Sequence, residues 1–256
     1  MTMMRVLVSN DDGIHSPALK SLVQWLSQRA EVYLLAPASE QSATSQAITM
    51  RHPLAFRKID FPGCQAAYIV NGSPADCVKL GLEVLIDQPV DWVMSGINLG
   101  DNIGQYIYYS GTVAAAVEAS LHGVPAMAIS ARKSEQGQID YNYILPQLTK
   151  IWHTLSQISL PEYCFYNINL VKQEQLTTSK IIVAPLNQTE LRFEYQAYRT
   201  PKDEPVYWLH RSDQNVVDKS DLERVLAGYT TITPIQLAST PRSFWQALQE
   251  VFDAES

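Results

Sequence analysis

Apolar positions along the first 185 residues follow two rhythms, short continuous runs and helical stripes. Val6-Leu7-Val8 is an uninterrupted apolar run, as carried by a strand buried on both faces. A polar cluster, Ser9 to Gly13, follows it, and then Leu19, Leu22, Val23 and Leu26 recur at helical spacing with Pro17 at the first turn. Val32 to Leu35 is a second strand, stopped by Ala36-Pro37. This is a βαβ unit, and parallel strands with a right-handed helical crossover are its usual solution. The rhythm continues with a helix over Val78–Ile86, a strand at Trp92-Val93-Met94, an Ala-rich helix over Val113–Leu121 and a strand at Ala126–Ile129. A helix carrying Ile144, Leu148, Ile151, Trp152 and Leu155 and a strand over Phe165–Leu170 complete the series. The predicted fold class is α/β, a Rossmann-like parallel sheet flanked by helices.

After Pro185 the texture changes. Leu191–Tyr198 and Val206–His210 are rich in β-formers and flank a turn-rich segment, Thr200–Pro205, which predicts a β-hairpin. Residues 211–220 read as loop, and Tyr229–Thr233 reads as a strand closed by Pro234. Phe244, Trp245, Leu248, Val251 and Phe252 give a last helix an apolar stripe. With no repeat, low-complexity tract or Gly/Ser linker, residues 1–256 are expected to form a single α/β domain with a hairpin excursion at about 190–215.

Composition narrows the function classes. Nineteen Lys and Arg against 26 Asp and Glu give a net charge of −7, which argues against a polynucleotide partner. A small phosphorylated ligand remains open, since it needs only a local cation or a few backbone N–H groups. Cys64, Cys77 and Cys164 form no C-x-x-C pair, and their odd number points to a reducing cytoplasm rather than a disulfide framework. No apolar stretch reaches the length of a membrane span, and residues 1–9 lack the features of a signal peptide.

In an open parallel sheet, ligands bind beyond the carboxyl ends of the strands. Three polar loops fall there: Asn10 to Gly13, Pro37 to Ser45, and Ser95 to Gly104. Asp11 and Asp12 are adjacent carboxylates, costly to hold together unless a proton or a hard cation separates them. A bland alternative has one Asp capping the next helix and the other in water. Gly96, Gly100 and Gly104, interleaved with Asn98 and Asn102, let backbone approach a ligand closely. They lead to Ser110-Gly111-Thr112 at a helix N-terminus, which suits a phosphate, although Thr112 could simply cap the helix. There is no P-loop, no strand-anchored G-x-G-x-x-G and no G-x-S-x-G elbow. The five histidines lack metal-ligand spacing, and only His15 falls close to the Asp pair.

Five ordered blocks carry a resemblance to a known family. They are Val8 to Pro17, Ala36-Pro37 with Gln41 to Ser45, Asn71 to Val78, Ser95 to Gly104 with Tyr109 to Glu118, and Gly228-Tyr229 with Thr233-Pro234. They resemble the signatures of the SurE (survival protein E) nucleotidases. The resemblance implies a metal-dependent phosphomonoesterase that cleaves nucleoside monophosphates to nucleoside and phosphate. It leaves open whether 3′-esters and short polyphosphate are cleaved as well. It implies one divalent metal per subunit, Mg²⁺ or Mn²⁺, held by Asp11, Asp12, Ser42 and Asn98. Of these, Asp11, Asp12 and Asn98 would carry the chemistry, and Asn10, Gly13, Asn102, Ser110, Gly111 and Thr112 would contact the substrate. It also implies a hairpin exchanged between subunits in a homodimer or homotetramer.

The chain departs from the family pattern at several points. Gln41 and Ala43 stand where the family has Arg and Gly, and Gln105 and Tyr106 where it has acidic residues. Ser73 replaces Thr, and Ala119 replaces Gly. None of these is an implied metal ligand. Direct attack by a water and a covalent aspartyl-phosphate are both open to such a site. A nucleotide-binding regulatory homologue with weak or no turnover is the competing reading.

Overall fold

The backbone hydrogen bonds of the apolar runs close into one nine-stranded sheet. The structure, a computed structural model, describes residues 3–134, 137–172, 180–190, 192–212, 215–237, 245, 246 and 249. The strands are β1 (Arg5–Ser9), β2 (Glu31–Pro37), β3 (Phe56–Ile59), β4 (Ala66–Val70), β5 (Trp92–Leu99), β6 (Ala126–Ala131), β7 (Cys164–Leu170), β8 (Ile181–Val183) and β11 (Thr230–Gln236). Their order is β3-β4-β2-β1-β5-β6-β7-β11-β8. Only β3 with β4 and β7 with β11 run antiparallel. The sheet is therefore mixed, with a parallel centre.

Helices cover both faces, which is why the central strands read as unbroken apolar runs. On one face α1 (Pro17–Leu26) and α4 (Tyr141–Leu155) pack Leu19, Leu22, Leu26, Leu148, Ile151 and Trp152 against Val6, Val8 and Leu34. On the other, α2 (Pro74–Leu80) and α3 (Gly111–Leu121) pack Cys77, Val78, Val113, Ala116 and Ala119 against Leu7, Leu35, Val93 and Phe165. Adjacent residues of β1 thus face opposite cores, as strand geometry requires.

Several elements differ from the sequence reading. The helix expected over Val78–Ile86 starts earlier, at Pro74, because Ser73 and Asp76 form a capping box. It then loosens into a π turn over Gly81–Leu85. Edge strand β3 is largely exposed, so it has no apolar run to announce it. Pro234 does not close β11, which runs on to Gln236. Thr230 N–H and the Ile232 carbonyl bond toward β8, and β8 ends before residue 234, so a missing N–H there costs no ladder bond. A short helix, α5 (Asp221–Leu226), follows the predicted loop. Of the predicted last helix, Phe244, Leu248, Val251 and Phe252 lie outside the described residues.

The hairpin is present as β9 (Phe193–Arg199) and β10 (Pro205–Arg211), antiparallel and separate from the large sheet. It exposes Tyr195, Tyr198, Tyr207 and Trp208. Among the described residues, no helix is long and apolar enough to cross a membrane. All three cysteines are free thiols, and burial raises the pKa of Cys64 to about 12.

Candidate functional site

The chain runs outward from β1 through β2 to β4, then returns to β5 on the other side of β1. The crevice beyond the carboxyl ends of β1 and β5 is the topological switch point, where open α/β sheets hold ligands. Ser9 pairs with Ser95 there, so the Asp pair and the glycine-rich loop leave the sheet side by side.

Asp11 is buried, and it sits on the N-terminus of α3. The Thr112 hydroxyl donates to Asp11 Oδ1, and the Thr112 backbone also favours the charged carboxylate. The cap of α3 is Ser110, whose Oγ accepts from Val113 N–H at 3.2 Å, so Thr112 is not the cap. Gly111 permits the contact, since a Cβ there would lie 2.8 Å from Asp11 Cβ. Burial raises the Asp11 pKa despite the Thr112 bonds. Asp12 is pushed up to about 6, first by burial, then by the charges of Asp11 and Glu40, with Lys133 and a backbone hydrogen bond from Leu99 opposing them. Asp12 Oδ2 is buried with no hydrogen-bond partner among the described residues.

Asn98 is aimed by a β-bulge. Gly96 pairs with Ile129 and Asn98 with Ser130, so β5 spends one extra residue between them. Gly96 has φ +136°, and a Cβ on it would lie 2.3 Å from the Ile129 carbonyl oxygen, which restricts the position to glycine. The Asn98 amide donates to the Gly100 carbonyl at 2.7 Å, which leaves Oδ1 as the side-chain atom suited to a cation.

The loop after β2 folds over Asp11. Gln41 N–H donates to the Asp11 carbonyl at 2.7 Å, and Ser45 N–H donates to the Tyr109 carbonyl at 3.2 Å. Ser42 Oγ donates to the Glu40 carboxylate at 2.5 Å. Ala43 has φ +57°, a left-handed conformation, at the position where the family pattern has glycine.

Asp11, Ser42, Asn98, Asn102 and Ser110 line one cavity of about 310 Å³, with Tyr106, Tyr109 and Asp101. Asn102 is held tightly behind it. Its N–H donates to Asn169 Oδ1, its amide donates to Ser130 Oγ, and its carbonyl accepts from Asn167 and Asn169. Gly104 N–H donates to the buried carboxylate of Asp221 at 2.9 Å. The Asn10 amide turns back to the Gly13 carbonyl at 3.0 Å, so these two residues shape the Asp loop rather than line the cavity. Thr112 likewise reaches the site through Asp11, and neither Asp12 nor Gly111 is among the residues that line the cavity. His15 is exposed and does not line the cavity.

Sequence reasoning missed Glu40, Lys133, the two cavity tyrosines and the asparagine pair on β7. The last had a readable signal: Asn167 and Asn169 are two residues apart in an apolar strand, and so share one face. Among the described residues, no three His, Cys, Asp or Glu side chains converge as a metal cluster. The donors that converge here are carboxylate, amide and hydroxyl oxygens.

A carboxylate pair and a glycine-rich loop at the switch point of an open sheet define a Rossmann-like protein with a candidate ligand site at the strand ends. The particular family follows from comparison with known proteins. The family model Survival protein SurE matches residues 6–192, and the chain belongs to that family. It is 35% identical over 243 residues to the 5′-nucleotidase SurE of Rhodopirellula baltica, covering 93% of this chain and 94% of the relative. It is 34% identical over 254 residues to the 5′-nucleotidase SurE of Thermosipho melanesiensis, covering 98% of each chain. The crystal structure of the SurE protein from Aquifex aeolicus superimposes with a TM-score of 0.81 at 30% identity, covering 96% of this chain and 99% of that one.

Proposed function

We propose that this chain is a 5′-nucleotidase: a phosphomonoesterase that hydrolyses nucleoside monophosphates to nucleoside and phosphate. The observation that carries the reading is the pairing of buried Asp11 with half-buried Asp12 at the switch point of a SurE-family chain, with Asp12 Oδ2 buried and unpartnered among the described residues. Two carboxylates in that setting are costly to hold as anions, and an opposing cation removes the cost. The donor set is hard oxygen, which favours Mg²⁺ or Mn²⁺ over softer metals. We assign Asp11, Asp12, Asn98 and Ser42 as its ligands, one cation per chain. For Ser42 this requires its hydroxyl to turn from Glu40.

When bound, the cation supplies neutralising charge to the phosphoryl group. The chain's own groups do the rest. Ser110 Oγ already accepts from Val113, so its hydroxyl hydrogen can point into the cavity toward a phosphoryl oxygen. Gly111 N–H stands in the first turn of α3, where no intrahelical acceptor exists. These groups stabilise charge that grows in the transition state. Thr112 holds the Asp11 carboxylate in place, and Asn102, locked by Asn167 and Asn169, fixes the glycine loop. Asp12 is our candidate to orient the attacking water and take its proton. The exposed aromatic hairpin supports a further reading, that copies of the chain associate through this arm.

The test is phosphate release from AMP with Mn²⁺ or Mg²⁺. Release that is lost on chelation and in Asp11→Ala supports the enzyme. AMP binding without release would favour a regulatory homologue, and release at the wild-type rate after chelation would refute the site.

A further inference from the structure

Beside the carboxylates, the cavity has an aromatic wall with one ring left open. Tyr109 lines the cavity that holds Asp11, Asn98 and Ser110, and it immediately precedes Ser110 in sequence. It remains 46% exposed, whereas its neighbour Tyr106 is 6% exposed. Phe193, at the root of the hairpin, meets both rings edge to face, with centroids 5.6 Å from Tyr109 at 90° and 5.3 Å from Tyr106 at 79°. The Tyr106 hydroxyl donates to the Arg192 carbonyl at 3.1 Å. A T-shaped contact covers at most one face of a ring. Tyr109 is thus fixed from behind, and its backbone is held by Ser45 N–H. Among the described residues, no Lys or Arg lines this cavity, so nothing there invites a second anionic group.

We propose that the Tyr109 ring is the stacking surface for the nucleobase of the substrate, with Phe193 and Tyr106 setting its position. This rests on the nucleotidase reading and adds a specificity-determining residue to it. Every base offers a π face, so such a wall accepts many nucleotides, and purines gain more than pyrimidines because they overlap more ring area. Tyr108 is the rival ring. It lines a separate, more apolar groove of about 230 Å³ with Ile107 and Phe165, which shares only Ser110 with the cavity.

The test compares kcat/KM for AMP, UMP and ribose 5-phosphate, which has the same phosphoester without a base. In Tyr109→Leu, the AMP to ribose 5-phosphate ratio falls roughly 10-fold, chiefly through KM, and the UMP ratio falls less. Tyr109→Phe, which keeps the ring, retains the wild-type ratio. An unchanged ratio in Tyr109→Leu overturns the proposal, as does an equal loss on all three esters. So does a ratio change confined to Tyr108→Leu, which would move the base to the other groove. If the wild type cleaves neither AMP nor ribose 5-phosphate, the nucleotidase reading fails. Calorimetric binding of the two esters then decides the stacking question: weaker AMP preference in Tyr109→Leu supports it, and an unchanged preference overturns it.

Discussion

Replacing Gly111 by alanine inserts one methyl group between the helix N-terminus and the carboxylate it holds. The ideal Cβ lies 2.8 Å from Asp11 Cβ and 3.2 Å from both Asp11 Oδ2 and the Gln41 carbonyl oxygen. Carbon atoms pack best at about 3.5–4.0 Å, so the contact must open by roughly 1 Å. None of the surrounding parts yields easily. Gly111 begins a buried helix, and Asp11 is bonded to Thr112 and, through its carbonyl, to Gln41. A displacement of about 1 Å at a reacting group costs on the order of 100-fold in rate. Stability should suffer much less. Overpacking costs about 1–3 kcal/mol. Alanine in place of glycine in a helix returns up to about 1 kcal/mol. Gly111→Ala is therefore a folded protein that melts at most about 12 °C lower and releases phosphate from AMP about 100-fold more slowly. Circular dichroism melting and a phosphate-release assay measure the two effects. A variant with kcat/KM within about threefold of wild type would refute the claim that Asp11 must sit against this helix.

Thr112→Val keeps the shape and removes the donor to Asp11; with a charge-assisted bond worth about 1.5–3 kcal/mol, the melting temperature drops by roughly 3–12 °C. Gly96→Ala drives a methyl into the Ile129 carbonyl at a backbone angle that L-residues rarely adopt, and soluble expression should show that it fails to accumulate folded. His122 contributes a pH dependence. Burial lowers its pKa, but Glu83, 3.0 Å from Nε2, and Glu118 outweigh that and leave it above 6.5. A raised histidine stabilises the fold below its unfolded pKa and loses that contribution as pH rises through the folded value. Urea melts should therefore show wild type gaining over His122→Gln at pH 6 and converging with it by pH 8; a gap that widens toward pH 8 would reverse the sign. In a single turnover in oxygen-18 water, label should enter the released phosphate and no aspartate.

The parts of this fold that could be read from sequence are those buried on two faces. Val6-Leu7-Val8 and Ala126–Ile129 are unbroken apolar runs because helices cover them from both sides. Strand β3 could not be read that way, since an exposed edge strand needs no such run. Pro234 misled because a proline's meaning depends on whether a neighbouring strand still needs its N–H, and β8 is set by distant residues. The Asp pair and glycine loop stood out through local composition. Their support did not, because Thr112 meets Asp11 across 101 residues and Asp221 meets Gly104 across 117. Such pairings follow from strand order, which one sequence does not display. The change from glycine to Ala43 was visible, but its left-handed backbone was not.

On our reading, Asp11 and Asp12 together hold a divalent cation that hydrolysis requires. Mn²⁺ titration followed by electron paramagnetic resonance, with phosphate release from AMP measured on the same samples, tests it directly. We predict one bound Mn²⁺ per chain, activity that rises in step with occupancy, and loss of both in Asp12→Ala. Undiminished Mn²⁺ binding in Asp12→Ala, or full activity in metal-free protein, would contradict it.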